Sequence, residues 1–336
     1  TQASPELTRL LDRALMESAS AIHLDPEEGK VRVRFRVRQE LRDGGLFEAC
    51  AMKGVVESLN AWLGAGRDEA PGVCMWGEGI DGEARAAAVT GLAGISVTIW
   101  LEGSGFAAPS VSASFEAEWE RLDLLLTRSC GLIAAVAPTG ADRRHLLTRI
   151  LGQLDASGRR VWVLTPEAFP LPKRLAVHLG PSDPALTACF ARLEGVDVLA
   201  GVFPSPQHAV PLVEAADHDR LVVAAFPGHS ALGFLARLLE AGIPASLLAE
   251  TVLAVVAQRT LPAGRDGSSL QAVAEILFAD DPLRRALQDG GRINDLRAAA
   301  RAQGLVEIAE RARDLGGVDA SLLTDLDRHR YLGDAA

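Results

Sequence analysis

A short apolar run, a turn and an amphipathic segment in the middle of the chain have the arrangement of a phosphate-binding site. The run covers residues 131–136, the turn is Ala137-Pro138-Thr139-Gly140, and helical periodicity continues to about residue 156. Strand, turn and helix in this order form the frame of a phosphate-binding loop. A working loop needs glycine where backbone amides approach the phosphates, a lysine that reaches the β and γ groups, and a hydroxyl that ligates Mg²⁺. The chemistry to consider here is therefore nucleotide binding or hydrolysis.

The segments around this turn predict an α/β domain. Short apolar runs at 161–164, 196–200 and 221–225 alternate with helical segments, and a further helix is predicted at 115–128. Strands that are apolar almost throughout indicate a mostly parallel sheet covered on both faces. Beyond about residue 280, the chain is rich in Ala, Leu and Arg and predicts short helices.

The first hundred residues have a different pattern. Helical spacing at 5–19 and at about 46–63 is combined with strand-like runs at 31–37, 83–91 and 95–101. This mixture predicts a small α+β domain. Gly103-Ser104-Gly105 and the residues after it are typical of a linker. The predicted organisation is an α+β domain at 1–105, a linker at 106–114, an α/β domain at 115–280 and a helical segment at 281–336.

Alternation within the first domain places one set of arginines on one face of a strand. Arg32, Arg34, Arg36 and Arg38 alternate with apolar residues, so the stripe is either a solvated sheet face or an electropositive surface that meets an acidic neighbouring subunit. His23 is interpreted as a packed strand histidine, because no second His or Cys stands at ligand spacing.

Composition excludes several classes of protein. The 336 residues are 48% hydrophobic and 23% charged, which excludes a disordered or collagen-like chain and favours two globular domains. A net charge of −10 argues against nucleic acid or anionic lipid as a general partner. The four cysteines form no CxxC pair, so we expect no metal site and a reducing environment. No run approaches the length of a membrane span, so we expect a cytoplasmic protein without direct membrane insertion.

The order of the segments resembles the type II secretion and type IV pilus assembly ATPase family. Ser20-Ala21-Ile22-His23-Leu24-Asp25-Pro26 is similar to that family's ser-asp-ile-his-ile-glu-pro signature. The similar segments, in chain order, are residues 20–26, 33–37, 236–244, 255–259, 264–267, 274–277 and 283–285. The resemblance covers nearly the whole chain and implies an N-terminal α+β domain followed by a RecA-like domain, as in hexameric motors.

The resemblance is lost at the residues that carry the family's chemistry. The family's loop reads gly-pro-thr-gly-ser-gly-lys-thr, and the residues at these places are Ala137, Pro138, Thr139, Gly140, Ala141, Asp142, Arg143 and Arg144. Asp142 brings a carboxylate to the loop, and Arg144 replaces the hydroxyl that would bind Mg²⁺. Two like charges about 4 Å apart repel by roughly 4 kcal/mol at an effective dielectric near 20. Asp142 facing a triphosphate would therefore oppose nucleotide binding unless its side chain turned away.

The family's other catalytic positions are changed as well. Alignment through Gly201 puts Val202 at the Walker B glutamate, and the acidic box becomes Leu164-Thr165-Pro166. Pro204 and Ser205 stand where the family has arg-asp, and Arg220 and Pro227 stand where it has two histidines. Where the family's N-terminal domain offers three arginines to the nucleotide, this chain has Arg85, Ser96 and Trp100. Residues 138–144, with Gly201 and Val202, are thus interpreted as a vestigial nucleotide site that has no catalytic residue and binds no metal or other cofactor.

Three hypotheses follow from these changes. The first is a catalytically inactive pseudo-ATPase that acts with itself, with an active motor paralogue, or with the cytoplasmic side of a secretion or pilus platform. The second is a divergent active NTPase that uses ATP and Mg²⁺, with Arg143 in place of the lysine and Glu167, Glu194 or Asp197 as the acid. The third is a regulator that binds another anion or a cyclic nucleotide at the loop. In the simplest interpretation, Arg143 and Arg144 are solvated residues at the start of a helix.

Overall fold

A computed structural model of the protein describes residues 4–37, 40–49, 53–55, 57, 72–75, 82–91, 94–103, 110–111, 116–154, 158–164, 176–178, 195–263 and 269–314. The chain divides into two compact units, Thr1–Ala108 and Pro109–Ala336.

The first unit is a six-stranded antiparallel sheet with a helix on one face. Its helix α1 spans Pro5–Met16, and its strands are β1 (Ala19–Glu27), β2 (Lys30–Val37), β3 (Glu40–Glu48), β4 (Gly72–Met75), β5 (Gly82–Gly91) and β6 (Gly94–Gly103). The order across the sheet is β3-β2-β1-β6-β5-β4. Ser4 caps α1 by accepting a hydrogen bond from the Leu7 amide at 3.2 Å, and Pro5 suits the first helical turn. The helix buries Leu7 and Leu11 against the sheet.

One boundary in this unit differs from the sequence predictions. The predicted helix at about 46–63 overlaps the last residues of β3, because the strand continues through Glu48. Helical backbone is described at residues 53–55 and 57. The predicted strands at 83–91 and 95–101 correspond to β5 and β6.

The arginine stripe on β2 is paired with acids from the same sheet. Val33 and Phe35 are buried, whereas the side chains of Arg32 and Arg34 lie half-buried on the opposite face. Arg32 forms ion pairs with Glu27 and with Asp43, and Arg34 Nη1 lies 3.5 Å from Asp25 Oδ2. Acidic groups of β1 and β3 therefore neutralise much of the stripe within the unit itself.

His23 lies in the sheet as a packed strand residue. Its Nδ1 is 3.1 Å from Thr98 Oγ1, and Arg36 Nε donates to its Nε2 at 3.4 Å. Burial lowers the pKa of His23, the positive charges of Arg36 and Arg34 add to this effect, and Asp25 opposes it.

The second unit has an eight-stranded, mostly parallel sheet between two layers of helices. Its strands are β7 (Ser110–Val111), β8 (Gly131–Ala137), β9 (Val161–Leu164), β10 (Ala176–His178), β11 (Val198–Val202), β12 (Leu221–Pro227), β13 (Val252–Ala263) and β14 (Ser269–Phe278). The order across the sheet is β10-β9-β11-β12-β8-β13-β14-β7. The hairpin pair β13–β14 is antiparallel, whereas the other neighbouring pairs are parallel.

Helices cover both faces of this sheet. They are α2 (Glu116–Leu125), α3 (Gly140–Gln153), α4 (Ala209–His218), α5 (Ala231–Glu240), α6 (Ala245–Thr251), α7 (Asp281–Gln288), α8 (Ile293–Ala302) and α9 (Ile308–Asp314). Helices α2 and α3 pack on one face with Ile133 and Ala135 of β8, and α4 to α9 pack on the other face with Leu132 and Ala134. Successive side chains of a strand point to opposite faces, and helices cover both faces here, so β8 is buried along its whole length.

Part of the predicted linker belongs to the second sheet. Ser110 and Val111 form the edge strand β7 and pair in parallel with Gln271 and Ala272 of β14. Composition indicated a turn-rich connection at 106–114 but not this pairing, because the partner strand lies about 160 residues further along the chain.

Candidate functional site

The turn between β8 and α3 is much shorter than a phosphate-binding loop. Strand β8 ends at Ala137 and α3 begins at Gly140, which leaves only Pro138 and Thr139 between them. A loop of the Walker type has four residues between its two glycines, and their backbone amides surround the phosphates. At the corresponding places Gly140 and Ala141 are already helical. The amides that would form the cradle therefore belong to the first turn of a helix.

Hydrogen bonds at Thr139 define this early helix start. Thr139 has extended backbone angles, and its Oγ1 accepts from the Asp142 amide at 3.1 Å. The Arg143 amide donates to the Thr139 carbonyl oxygen at 3.0 Å. Thr139 is thus the N-cap of α3, a role for which threonine is well suited.

Asp142 is turned into the protein. This residue is 8% exposed, and its carboxylate accepts hydrogen bonds from Thr139 Oγ1 at 2.8 Å and from Thr260 Oγ1 of β13 at 2.5 Å. A negative charge in the first turn of a helix is also favoured by the helix dipole. Of the two orientations that the sequence leaves open, the structure has the one in which the carboxylate is directed towards β13.

The two arginines after Asp142 cover the turn. Arg143 Nη1 donates to the carbonyl oxygens of Ala137 and Pro138, at 3.2 Å each. A Cβ atom placed on Gly140 would lie 3.4 Å from Arg144 Nη1 and 3.8 Å from Arg143 Nη2. Both side chains are half-buried, so they differ from the solvated residues of the simplest sequence interpretation.

A second polar contact joins α3 to β13 one turn further on. The Gln258 side chain is 1% exposed, and its Nε2 lies 3.3 Å from Nδ1 of His145. Burial lowers the pKa of His145, and Arg149 adds to this effect while Asp142 opposes it. The ring is therefore neutral near pH 7, and its Nδ1 can accept from the Gln258 amide group.

The end of β11 lies at the same edge of the sheet. Gly201 pairs with Ala224, which pairs with Ala134 of β8, so two strand spacings, about 10 Å, separate β11 from β8. Val202 follows at the position of the Walker B glutamate, and its side chain packs against the apolar cluster beneath α3. The structure thus brings Gly201 and Val202 to the edge where α3 begins, with an aliphatic group in place of the carboxylate.

Asp197 lies at the opposite edge. Its Oδ2 accepts from the Arg160 amide at 2.7 Å, and its carbonyl oxygen accepts from the Leu221 amide at 3.1 Å, where β12 begins. The length of a seven-residue strand, roughly 20 Å, separates it from Thr139. Asp197 therefore cannot replace a catalytic acid near the start of α3.

The other positions singled out in the sequence either lie on separate elements or fall outside the described residues. Leu164 ends β9, Arg220 is buried before β12, Pro227 ends β12, and Ser205 caps a short 3-10 helix at Pro206–His208. Ser96 and Trp100 lie on β6, and Arg85 lies on β5. Thr165, Pro166, Glu167 and Glu194 lie outside the described residues.

The sequence analysis did not identify two features that shape the turn between β8 and α3, the hydroxyl of Thr260 and the early start of α3. The spacing of Thr139 and Asp142 is that of a capping box, a local signal that places a helix start after Thr139. No local signal identifies Thr260, because its partner Asp142 lies 118 residues earlier in the sequence.

These side chains do not match the donors of a Mg-nucleotide site. Arg144 stands in place of the hydroxyl ligand and Val202 in place of the carboxylate. Across the described ranges, no group of three or more His, Cys, Asp or Glu residues is placed to hold a metal ion. Within the same ranges, no helix combines the length and apolar character that a membrane span requires.

Gly201 is expected to tolerate no side chain. A Cβ atom there would lie 2.5 Å from the Leu164 carbonyl oxygen, which belongs to a backbone that cannot move aside cheaply. We expect Gly201→Ala to lower the free energy of unfolding by about 2 kcal/mol or more, as overpacking does. Gly152→Ala is the control, because nothing lies within 4 Å of its added Cβ, and helix propensity favours alanine by about 1 kcal/mol. Urea denaturation compares the two, and equal midpoints would contradict the prediction.

Comparison with known proteins gives this fold a context. No protein-family model matches the chain. Type II secretion system protein HxcR of Pseudomonas aeruginosa is 25% identical over an alignment of 346 positions, gaps included, that covers 90% of this chain and 72% of that protein. Type II secretion system protein E of Dickeya dadantii is 27% identical over an alignment of 275 positions that covers 75% of this chain and 53% of that protein. The chain therefore spans about three quarters of one relative and about half of the other.

Solved structures show the same architecture. The Legionella pneumophila ATPase DotB superposes with a TM-score of 0.71 at 16% identity, covering 97% of this chain and 96% of that chain. The pilus retraction motor PilT, solved with bound ADP, gives a TM-score of 0.67 at 16% identity, covering 95% and 96%. The α/β fold of this chain is that of DotB and PilT. Its relatives in sequence include type II secretion system proteins and the type IV pilus assembly ATPase PilB of Thermus thermophilus, which is 21% identical over an alignment that covers 90% of this chain and 40% of that protein.

Proposed function

We propose that this chain is a non-hydrolysing pseudo-ATPase that serves as a structural or regulatory component of a type II secretion or type IV pilus-like machine. Its partners would be further copies of itself, an active motor paralogue, or the cytoplasmic side of platform proteins. It would act in the cytoplasm, at the inner membrane through those partners.

The observation that carries the proposal is the start of α3 at Gly140. Backbone amides that would surround phosphates are in a helical turn capped by Thr139, and the Arg143 guanidinium is bonded to the carbonyl oxygens that end β8. A triphosphate could enter only if this turn unwound and Arg143 gave up two hydrogen bonds. The aliphatic Val202 in place of the Walker B glutamate supports the same conclusion, since no carboxylate stands there to orient water or Mg²⁺.

Two other functions make different demands on the same residues. A divergent NTPase would need Arg143 to leave Ala137 and Pro138 and to contact phosphates instead. A regulator that binds another anion or a cyclic nucleotide is favoured by one feature, the approach of the Arg143 and Arg144 guanidinium groups to Gly140.

Turnover of ATP tests the proposal directly. We expect the purified chain with Mg²⁺ and ATP to release phosphate no faster than the Arg143→Ala variant purified in the same way. Arg128→Ala is the matched control, because this exposed residue lies at the end of α2 and away from the turn. Turnover that Arg143→Ala abolishes and Arg128→Ala preserves would overturn the proposal in favour of an active NTPase. Tight calorimetric binding of a nucleotide without turnover would instead identify a regulator.

Solution mass tests the role in an assembly. We expect a shift in mass when the chain is mixed with an active secretion or pilus motor from the same cell, or with the cytoplasmic domain of a platform protein. A chain that remains monomeric alone and in every mixture would contradict a structural role in the machine.

A further inference from the structure

Strand β13 runs beside β8 and continues past its end to the start of α3. Ala257 pairs with Val136, so Gln258 and the residues after it lie alongside the turn at Pro138 and Thr139. Gln258 and Thr260 are two residues apart on this strand and therefore project to the same face. On that face they contact His145 and Asp142 of α3, which are three residues apart.

The first turn of α3 is thus fastened to a strand more than a hundred residues further along the chain. The Asp142 carboxylate receives one hydroxyl from the cap of its own helix, Thr139, and one from Thr260. We infer that Asp142 and Thr260 form a latch that keeps residues 140–143 helical and the turn closed to a triphosphate. This inference rests on the proposed function and names the contact that maintains the closed site.

The turn needs such a contact because it is intrinsically weak. The first four amides of a helix have no partner within the helix, so a helix end opens readily. Glycine at the first helical position, Gly140, costs more conformational entropy than any other residue. The cap at Thr139 satisfies the Asp142 amide, but it is local and would move with the turn. Thr260 is anchored instead in a strand that pairs with β14 at this point, where Thr260 lies opposite Ala272, so it holds Asp142 to the sheet.

Opening the turn also carries an electrostatic penalty that depends on the latch. Asp142 is buried, and its carboxylate would lose hydroxyl donors if α3 unwound from Gly140. While the residue stays buried, a carboxylate without hydrogen bonds is strongly unfavourable, so the two hydroxyl donors stabilise the closed turn. The family resemblance places glycine at position 142, and a glycine there could not form the latch at all.

Amide hydrogen exchange of Thr260→Val tests the latch. This substitution removes the hydroxyl, keeps the branched shape and leaves the cap at Thr139 intact. We expect exchange at the Arg143 and Arg144 amides to become at least tenfold faster, with the amides of β12 unchanged. Thr260→Ser retains a hydroxyl and should restore protection. Thr127→Val is the control, because its hydroxyl bonds to the Leu124 carbonyl oxygen at the C-terminal end of α2 and not to α3.

Two results would overturn the inference. One is exchange at residues 143 and 144 within twofold of the wild type in Thr260→Val. The other is a similar acceleration throughout β12, since that would report general destabilisation rather than the release of one turn. Turnover of ATP by the wild-type chain would contradict the proposed function while leaving this exchange result unchanged, so the two failures are distinguishable.

Discussion

Replacement of Glu275 by alanine is expected to lower the free energy of unfolding of the second unit by about 2–4 kcal/mol, since two buried donors lose their acceptor. Glu275 lies on β14 and is 2% exposed. Its Oε1 accepts from the Ala231 amide at 2.6 Å, and its Oε2 accepts from the Ile308 amide at 2.8 Å. These amides begin α5 and α9, so one carboxylate satisfies the starts of two helices. Urea denaturation measures the loss, and a change below about 0.5 kcal/mol, the level of an ordinary surface substitution, would contradict it.

The same residue gives a pH dependence with a defined sign. Burial raises the pKa of Glu275 to about 7 from 4.5; the two amide hydrogen bonds and Arg311 oppose this shift, and Glu307 adds to it. The folded chain therefore binds a proton that the unfolded chain has released between about pH 4.5 and 7. The stability gained from this proton is complete below pH 4.5 and is lost as the pH rises through 7. A shift of this size corresponds to about 3 kcal/mol.

Glu275→Gln separates this contribution from the other titrating groups. The amide cannot titrate, so we expect the wild type to lose more stability than the variant between pH 5 and pH 8. Glu250→Gln is the matched control, because this glutamate is exposed and should retain the wild-type pH dependence. The same slope in wild type and Glu275→Gln would show that Glu275 is ionised throughout the range, contrary to expectation.

Replacement of Arg311 by alanine is expected to cost about 3 kcal/mol, because it leaves a partly buried carboxylate without its partner. The Arg311 side chain is 10% exposed, and its two terminal nitrogens bond to the two carboxylate oxygens of Glu118, at 2.5 and 3.1 Å. Its Nε also donates to the Val306 carbonyl oxygen at 3.1 Å. This contact joins α9 to α2, the first helix of the second unit.

A double-mutant cycle and an exposed pair provide the controls. We expect the loss in Arg311→Ala/Glu118→Ala to be smaller than the sum of the single losses, since the second substitution removes the unpaired carboxylate. The pair Arg301–Glu307 has an arginine that is 59% exposed, so Arg301→Ala should cost less than about 1 kcal/mol. Equal losses for Arg301→Ala and Arg311→Ala in urea denaturation would contradict the prediction.

Elements with a strong local pattern could be predicted from the sequence. The alternation of β2 placed Val33 and Phe35 on the buried face, and the apolar run of β8 indicated a strand buried on both sides. Helices α1 and α2 were predicted to within about three residues, because their apolar side chains recur at helical spacing. The order of segments also predicted the α/β fold that DotB and PilT share with this chain.

Elements that depend on distant partners could not be predicted in the same way. Strand β7 has only two residues and exists because β14 offers an edge to them. The last residues of β3 have helical periodicity, but pairing with β2 makes them a strand. Tertiary contacts override weak local preferences in both cases.

The sequence by itself determined which groups this protein has at residues 142–144. A chain with Asp142, Arg143 and Arg144 has no lysine or hydroxyl at those places, and no folding can supply them. Only the tertiary structure decided where these groups point. Asp142 turns away from the loop because Thr260 offers it a hydroxyl, and Arg143 folds back because the carbonyl oxygens ending β8 lie within its reach. The physical reason is that side-chain type is a local property, whereas the satisfaction of a buried charge depends on partners that folding brings from elsewhere in the chain.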